Sequence, residues 1–279
     1  MILAQLSDTH FGTEQPEVVE ALIAWMQDHA PDLVIFSGDI TQRARRDQFR
    51  SARRFIDQIP KHDLLTIPGN HDLPLFDFLR RAVNPYGYYC EFFGEELEPT
   101  YEDERVLVIG LNTTSPLRHK DGKVTDEQIT RVERQLAQAK EGQIKILVAH
   151  HPFDVILTSD EENLMIQGAN AIRRWAAAGL DMVLGGHIHF PFTASLRGRY
   201  PDLPRDVWCV QAGTAISRRV RHSKPNSFNR IEIGAERELV TIERWDYGAE
   251  EGRFQRVACF QPWKSSGSRP GEGLRTAVE

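Results

Sequence analysis

Short apolar runs alternate with amphipathic stretches along the first two-thirds of the chain. Ile2 to Leu6 predicts a strand. Pro16 to His29 carries Val18, Val19, Leu22, Ile23 and Met26 at helical spacing, with a proline at its start. Leu33-Val34-Ile35-Phe36 predicts a buried strand that runs into Ser37-Gly38-Asp39. Phe49, Ala52, Phe55, Ile56 and Ile59 predict a helix over Asp47 to Ile59, and Leu64 to Ile67 a strand before Pro68-Gly69-Asn70-His71-Asp72. A short helix is expected over Leu75 to Val83. Val106 to Leu111 predicts a strand, and Thr125 to Lys140 a helix opened by a Thr125/Gln128 capping box. Ile144 to Val148 predicts a strand before His150-His151-Pro152. Asn170 to Ala178 predicts a helix stopped by Gly179, and Met182 to Leu184 a strand before Gly185-Gly186-His187-Ile188-His189.

This alternation implies an α/β core with helices packed on a sheet. After Pro191 the texture changes. Phe192–Leu196, Val207–Gln211, Phe228–Ile233 and Leu239–Trp245 are short strand candidates with no helices between them, so an antiparallel end is expected. Residues 264–279 are rich in Ser, Gly, Pro and charge, which predicts a disordered tail.

Composition narrows the classes. The 279 residues carry 34 Lys+Arg against 40 Asp+Glu, a formal charge of −6, which disfavours a general nucleic-acid binder or nuclease. No run of eighteen apolar residues predicts a membrane span, and the first seven residues read as a strand rather than a signal peptide. Three scattered cysteines, Cys90, Cys209 and Cys259, fit buried thiols in a reducing cytoplasm. The ten histidines have no compositional explanation, and their positions matter more than their number.

The polar clusters share one rule: each directly follows an apolar strand. They are Asp8-Thr9-His10, Gly38-Asp39, Gly69-Asn70-His71-Asp72, His150-His151 and Gly186-His187-Ile188-His189. The carboxyl ends of strands in an open α/β sheet form the rim where ligands bind, so five segments converge there. Imidazole and carboxylate together suit Mn, Fe, Zn or Co. Seven candidate ligands exceed the need of one tetrahedral ion, and a shared aspartate lets them serve two. Taken singly, each motif reads better as a turn, a helix start or a satisfied core histidine. Together, and in this order, they argue for a metal centre.

In this order, D-x-H, G-D, G-N-H-D, H-x-P and G-H-x-H resemble the calcineurin-like metallophosphoesterase superfamily. Leu6 to Phe11, Ser37 to Thr41 and Pro68 to Asp72 resemble its class III cyclic nucleotide phosphodiesterase branch, as do Gln211 to Ala215 and Asn226 to Asn229. The resemblance implies a four-layer α/β/β/α sandwich. Residues 1–263 would form one metallophosphoesterase domain, with an aromatic-rich insertion at about 84–100. It also implies that Asp8, His10 and His189 hold a first metal, that Asp39 bridges, and that Asn70, His150 and His187 complete the second. In similar proteins the first histidine of H-x-P is the ligand, so His150 is chosen over His151.

The implied reaction is in-line hydrolysis of a small phosphodiester by a metal-activated hydroxide. His71 is the expected catalytic acid or phosphate donor. Asp72 is expected to fix His71 or a backbone turn, or to cap a helix. His151, Arg219 and Arg221 are candidate substrate contacts, the arginines from a basic stretch in a Gly/Pro/Asn-rich loop. That stretch, like Arg43-Arg45-Arg46, also reads as a solvated surface. Tyr86, Tyr88, Tyr89, Phe92 and Phe93 are expected to be buried in a cap or core; covering a base or joining a homodimer are the alternatives. His29, His62 and His119 fall outside every motif and read as surface residues. The leading reading is a phosphodiesterase for 3′,5′-cyclic nucleotides such as cyclic AMP. Its rivals are a glycerophosphodiesterase, a nucleotide pyrophosphatase and a broad phosphomonoesterase. A non-catalytic interaction module ranks lower, because every ligand and His71 are present.

Overall fold

The structure is a computed structural model and describes residues 1–263. The disordered tail expected over 264–279 lies outside the described residues. The first half runs β1 (Ile2–Leu6), α1 (Pro16–His29), β2 (Leu33–Ser37), α2 (Arg46–Ile56), β3 (Asp63–Ile67), α3 (Phe78–Val83), α4 (Gly87–Phe93), β4 (Thr100–Glu102) and β5 (Val106–Leu111). The second runs α5 (Asp126–Gln138), β6 (Ile144–Ala149), α6 (Gly168–Ala177), β7 (Met182–Gly185), β8 (Phe192–Ser195), β9 (Trp208–Gln211), β10 (Ser227–Glu232), β11 (Thr241–Gly248) and β12 (Arg253–Phe260).

Two six-stranded sheets form, in the orders β12-β11-β10-β1-β2-β3 and β4-β5-β6-β7-β9-β8. Side chains alternate across each strand, so one apolar run feeds two layers. Leu33 and Ile35 of β2 join Leu3, Val106, Val108, Ile144, Ile146 and Val148 in the core between the sheets. Val34 and Phe36 point the other way, into the core under α1, α2 and α4. On the far sheet, Leu107, Ile109, Leu111, Leu147 and Ala149 face α5 and α6. The layers are therefore helix, sheet, sheet, helix, the four-layer sandwich that the family resemblance implied. A strand buried on both faces has no polar alternation to show, which is why β2 and β5 read as unbroken apolar runs.

Local signals account for several boundaries. Pro16 opens α1. Thr125 accepts from Gln128 N at 3.2 Å, and Thr125 N donates to Gln128 Oε1 at 2.9 Å, closing the capping box of α5. Helix α2 ends at Ile56 rather than Ile59. Its last residues tighten into turns ahead of Pro60, with Ile59 N on Ile56 O at 3.1 Å. The end of the chain is only partly antiparallel: β10, β11 and β12 are, but β9 runs parallel to β7. An edge strand, β8, doubles back beside β9 and makes the parallel return possible.

The aromatic run forms α4 and packs inward. Tyr89 is fully buried beside Phe49 of α2 and donates its hydroxyl to Thr66 Oγ1 at 2.8 Å. Tyr88, Phe92 and Phe93 pack on the same core. Of the five aromatics expected to be buried, Tyr89 is, Tyr88, Phe92 and Phe93 are half-buried against that core, and Tyr86 instead pairs its hydroxyl with Thr114 Oγ1 at 2.8 Å; none of them lines the cleft described below.

Trp175 of α6 anchors the far helical layer. It is fully buried, packs on Phe153 and donates Nε1–H to Ile129 O at 3.0 Å. Trp175→Ala should lower stability by about 3–5 kcal/mol. The check is urea unfolding, where the midpoint should fall at constant slope; a loss under about 1 kcal/mol would contradict this packing.

Candidate metal centre

Each site segment begins where a strand stops, and the loops stay stitched together beyond the sheet. Past β1 and β2, Asp8 N donates to Gly38 O at 3.1 Å, His10 N to Asp39 O at 3.0 Å and Phe11 N to Ile40 O at 2.8 Å. In the other sheet, Gly186 N donates to His150 O at 3.0 Å. Gln5, buried between the sheets, donates Nε2–H to Gly185 O at 2.9 Å and to Ser37 Oγ at 3.1 Å. It ties the two loop sets together from beneath.

The loops are packed to backbone distance. A Cβ on Gly69 would run into the amide and carboxylate of Asp39, and one on Gly186 would strike Ser7 Oγ and Asp8 Oδ2. The backbone is strained at the same place. Asp8, His10, Asp39, His187 and His189 all have left-handed φ, at 51°, 43°, 50°, 72° and 54°. Each such residue costs on the order of 1–3 kcal/mol and persists only where surroundings impose it.

Three side-chain groups result, each with ligand atoms within 4.8 Å of one another: Asp8, His10 and His189; His10, Asp39 and His71; Asp39, His150 and His187. Asp39 and His10 each belong to two groups, so the three form one continuous cluster. Asp8 Oδ1 is 3.1 Å from His189 Nε2, and Asp39 Oδ2 is 3.3 Å from His150 Nε2 and 3.8 Å from His10 Nε2. Asn70 lies beside them in the lining of the cleft.

Two orphaned atoms test whether these residues suit a metal. His150 donates Nδ1–H to Ser37 O at 2.9 Å, yet its Nε2 has no hydrogen-bond partner. Asn70 Oδ1 is likewise buried without a donor. Leaving such groups unmet costs about 1–3 kcal/mol each, and cations among the oxygen and nitrogen atoms would meet both. His189 is oriented in the same manner, its Nδ1 against Arg219 O at 2.6 Å and its Nε2 turned to the cluster. The donor set fits a metal centre.

The electrostatics favour ligation at Asp8, Asp39, His10 and His187, and oppose it at His150, whose proton a metal would have to displace. Burial would raise the Asp8 and Asp39 carboxyls, but the surrounding imidazoles, chiefly His189 for Asp8 and His150 for Asp39, hold both below the usual range. Burial holds His10 and His187 well below an ordinary imidazole, in the neutral form a metal requires. Burial opposes charge on His150 as well, but the Asp39 carboxylate outweighs it and lifts His150 to about 9.

The remaining sequence candidates divide. His71 Nδ1 donates to Gln42 O at 2.9 Å, and Nε2 stands 3.2 Å from Arg219 Nη1. Asp72 hydrogen-bonds no atom of that ring. It accepts from Ile40 N, Thr41 N, Thr41 Oγ1 and Gly69 N at 2.8–3.0 Å, clamping the Asp39 loop to the Asn70 loop. Of its expected roles, the backbone turn is the observed one. Burial and the Asp39 carboxylate raise Asp72 to about 7 against those donors. His151 does not present a donor to the cleft: it is buried, with Nδ1 on Thr113 Oγ1 at 2.7 Å and Nε2 on Lys120 O at 2.9 Å. Its ring backs His187, with centroids 4.6 Å apart. Arg221 Nη1 reaches Asp160 Oδ1 and Ile188 O, both at 2.9 Å, so it braces the His187–His189 loop.

A cleft of about 580 Å³ opens over the cluster, lined in part by Asp39, Asn70, His71, Asp160, Asn163 and Arg219. His119 also lines it, although nothing in its sequence context marked it. Asp160 and Gln42 were missed for the same reason: each sits in an irregular polar segment without periodicity or motif.

The calcineurin-like phosphoesterase family matches residues 1–191. The glycerophosphodiester phosphodiesterase GpdQ of Enterobacter lignolyticus is 27% identical over 171 residues, 55% of this chain and 58% of that protein. The 3′,5′-cyclic adenosine monophosphate phosphodiesterase CpdA of Escherichia coli K12 is 24% identical over 257 residues, 86% of this chain and 87% of that one. The chain spans less than two thirds of the length of the GpdQ proteins it matches, 63% and 58%. The purple acid phosphatase PPD1 of yellow lupin shares the fold, with a TM-score of 0.69 at 13% identity over 92% of this chain and 52% of the lupin chain. Among the described residues no helix is long and apolar enough to cross a membrane. With most of its length and every strand-end motif inside the match, the chain belongs to the calcineurin-like phosphoesterase family.

Proposed function

We propose that this chain hydrolyses small phosphodiesters at a centre of two metal ions. The observation that carries the reading is the continuous cluster in which Asp39 joins two His/Asp groups beneath one cleft. In this reading Asp8, His10 and His189 hold one ion, Asn70, His150 and His187 the other, and Asp39 bridges. The mixed oxygen and nitrogen donors admit Mn, Fe, Zn or Co. When bound, such a pair lowers the pKa of water and neutralises charge on the phosphoryl group.

The chain's own groups divide the remaining work. Arg219, with its guanidinium over His10 and His71, holds a phosphoryl oxygen. His71 is oriented by Gln42 O, so its Nε2 is the atom that passes a proton to the departing alkoxide. Asp72 keeps His71 in reach by locking the two loops together.

Among small diesters we favour 3′,5′-cyclic nucleotides such as cyclic AMP. The 257-residue similarity to the Escherichia coli enzyme supports this, against the shorter similarity to glycerophosphodiesterases. A cytoplasmic location belongs to the same proposal, supported by three unpaired cysteines. The test compares bis(p-nitrophenyl) phosphate with p-nitrophenyl phosphate, then cyclic AMP with a glycerophosphodiester. Faster turnover of the diester supports the reading; faster turnover of the monoester overturns it. Cyclic AMP turnover no better than that of the glycerophosphodiester would overturn the cyclic-nucleotide assignment alone.

A further inference from the structure

The 3₁₀ segment Thr158–Asn163 contributes to the lining of the cleft and contains a buried carboxylate with an unused oxygen. Asp160 is about 1% exposed. Its Oδ1 accepts from Arg221 Nη1 at 2.9 Å and from Asn163 Nδ2 at 3.4 Å, while Oδ2 has no partner. An ionised carboxylate accepts several hydrogen bonds, and a buried one left short is costly. The same Arg221 nitrogen also donates to Ile188 O, between His187 and His189. One guanidinium therefore sets the distance between this carboxylate and the metal-binding loop.

We propose that Asp160, supported by Asn163, is a specificity subsite for a hydroxyl group on the alcohol portion of the phosphodiester. This subsite rests on the phosphodiesterase reading above and defines its substrate class. Charge decides which donor fits. Arg221 already balances the carboxylate, so a neutral hydroxyl completes the site where an ammonium would leave net positive charge. A hydroxyl meets the free oxygen, and an analogue lacking it leaves that oxygen unmet, which is how buried polar groups discriminate strongly. Arg221 is a positioning residue in this arrangement: it fixes Asp160 and the His187–His189 loop together.

Two alcohols supply this chemistry, the ribose of a cyclic nucleotide and the glycerol of a glycerophosphodiester. The experiment measures kcat/KM of the metal-loaded protein on 3′,5′-cyclic AMP against its 2′-deoxy analogue, and on glycerophosphoethanolamine against ethyl phosphoethanolamine. Bis(p-nitrophenyl) phosphate serves as the hydroxyl-free reference. We expect one pair to show a preference for the hydroxyl of at least roughly tenfold, identifying the source. Asp160→Asn should reduce that preference by about tenfold through KM more than kcat, and Asn163→Ala should reduce it in the same direction. Asn163→Ala keeps the test open if Asp160→Asn does not fold. No preference in either pair, or a preference unchanged in folded variants, overturns the subsite. Failure to cleave any diester, the reference included, overturns the phosphodiesterase reading instead.

Discussion

Asp39→Asn should leave a folded protein that binds fewer than two metal ions and loses at least ~10³-fold in kcat/KM. The reason is the double membership of this side chain. Oδ2 lies 3.3 Å from His150 Nε2 and 3.8 Å from His10 Nε2, and Oδ1 accepts from His71 N at 2.8 Å. The amide keeps the shape but not the charge, so it cannot neutralise two cations. Backbone stitching between the Asp8 and Asp39 loops does not involve the side chain, so the fold should survive. Metal analysis beside circular dichroism checks this. A folded variant with two ions and near-normal turnover would contradict a bridging role.

His71→Ala should behave differently. His71 shares a group with His10 and Asp39, but the proposed metal set is complete without it. Metal content should hold while kcat falls by ~10²–10⁴-fold on esters with poor leaving groups, the usual contribution of a general acid. The loss should be much smaller on bis(p-nitrophenyl) phosphate, because p-nitrophenolate departs without a proton. Equal losses on both substrates, with metals retained, would assign His71 to charge stabilisation beside Arg219 rather than to proton transfer.

The parts of this molecule that were legible in its sequence are those set by periodicity and adjacency. Strands such as Leu33–Ser37 are short apolar runs, and the candidate ligands follow the strand ends within four residues, so reading the strand ends located them. Six of the expected ligands also meet in the three-dimensional groups. What was not legible depends on tertiary context. Helix α4 hides in an aromatic run that follows Pro85 and opens at Gly87, a residue of weak helix propensity, and packing of Phe92 and Phe93 against Phe49 stabilises it. Strand β12 alternates only loosely, with Phe254 buried and Arg256 exposed, and forms only because β11 offers an edge. The parallel return of β9 is a matter of topology that the apolar pattern does not encode. His151 and Arg221 look like ligands or anion contacts by type, yet their hydrogen bonds brace neighbouring loops. Asp160 carries no motif at all; its meaning lies in an oxygen without a partner.

The strain and the orphaned atoms have one account. Five left-handed residues and two buried polar atoms without hydrogen-bond partners in one cluster are costly in isolation, and cations that draw on all of them would offset that cost. The most direct measurement is therefore titration of metal-stripped protein with Mn²⁺ or Zn²⁺, following bound metal, thermal stability and bis(p-nitrophenyl) phosphate turnover together. The account predicts binding that saturates at two ions per chain, a raised Tm, and activity that requires the second equivalent. Saturation at one ion with full activity, or phosphodiester turnover by the metal-free protein, would contradict it.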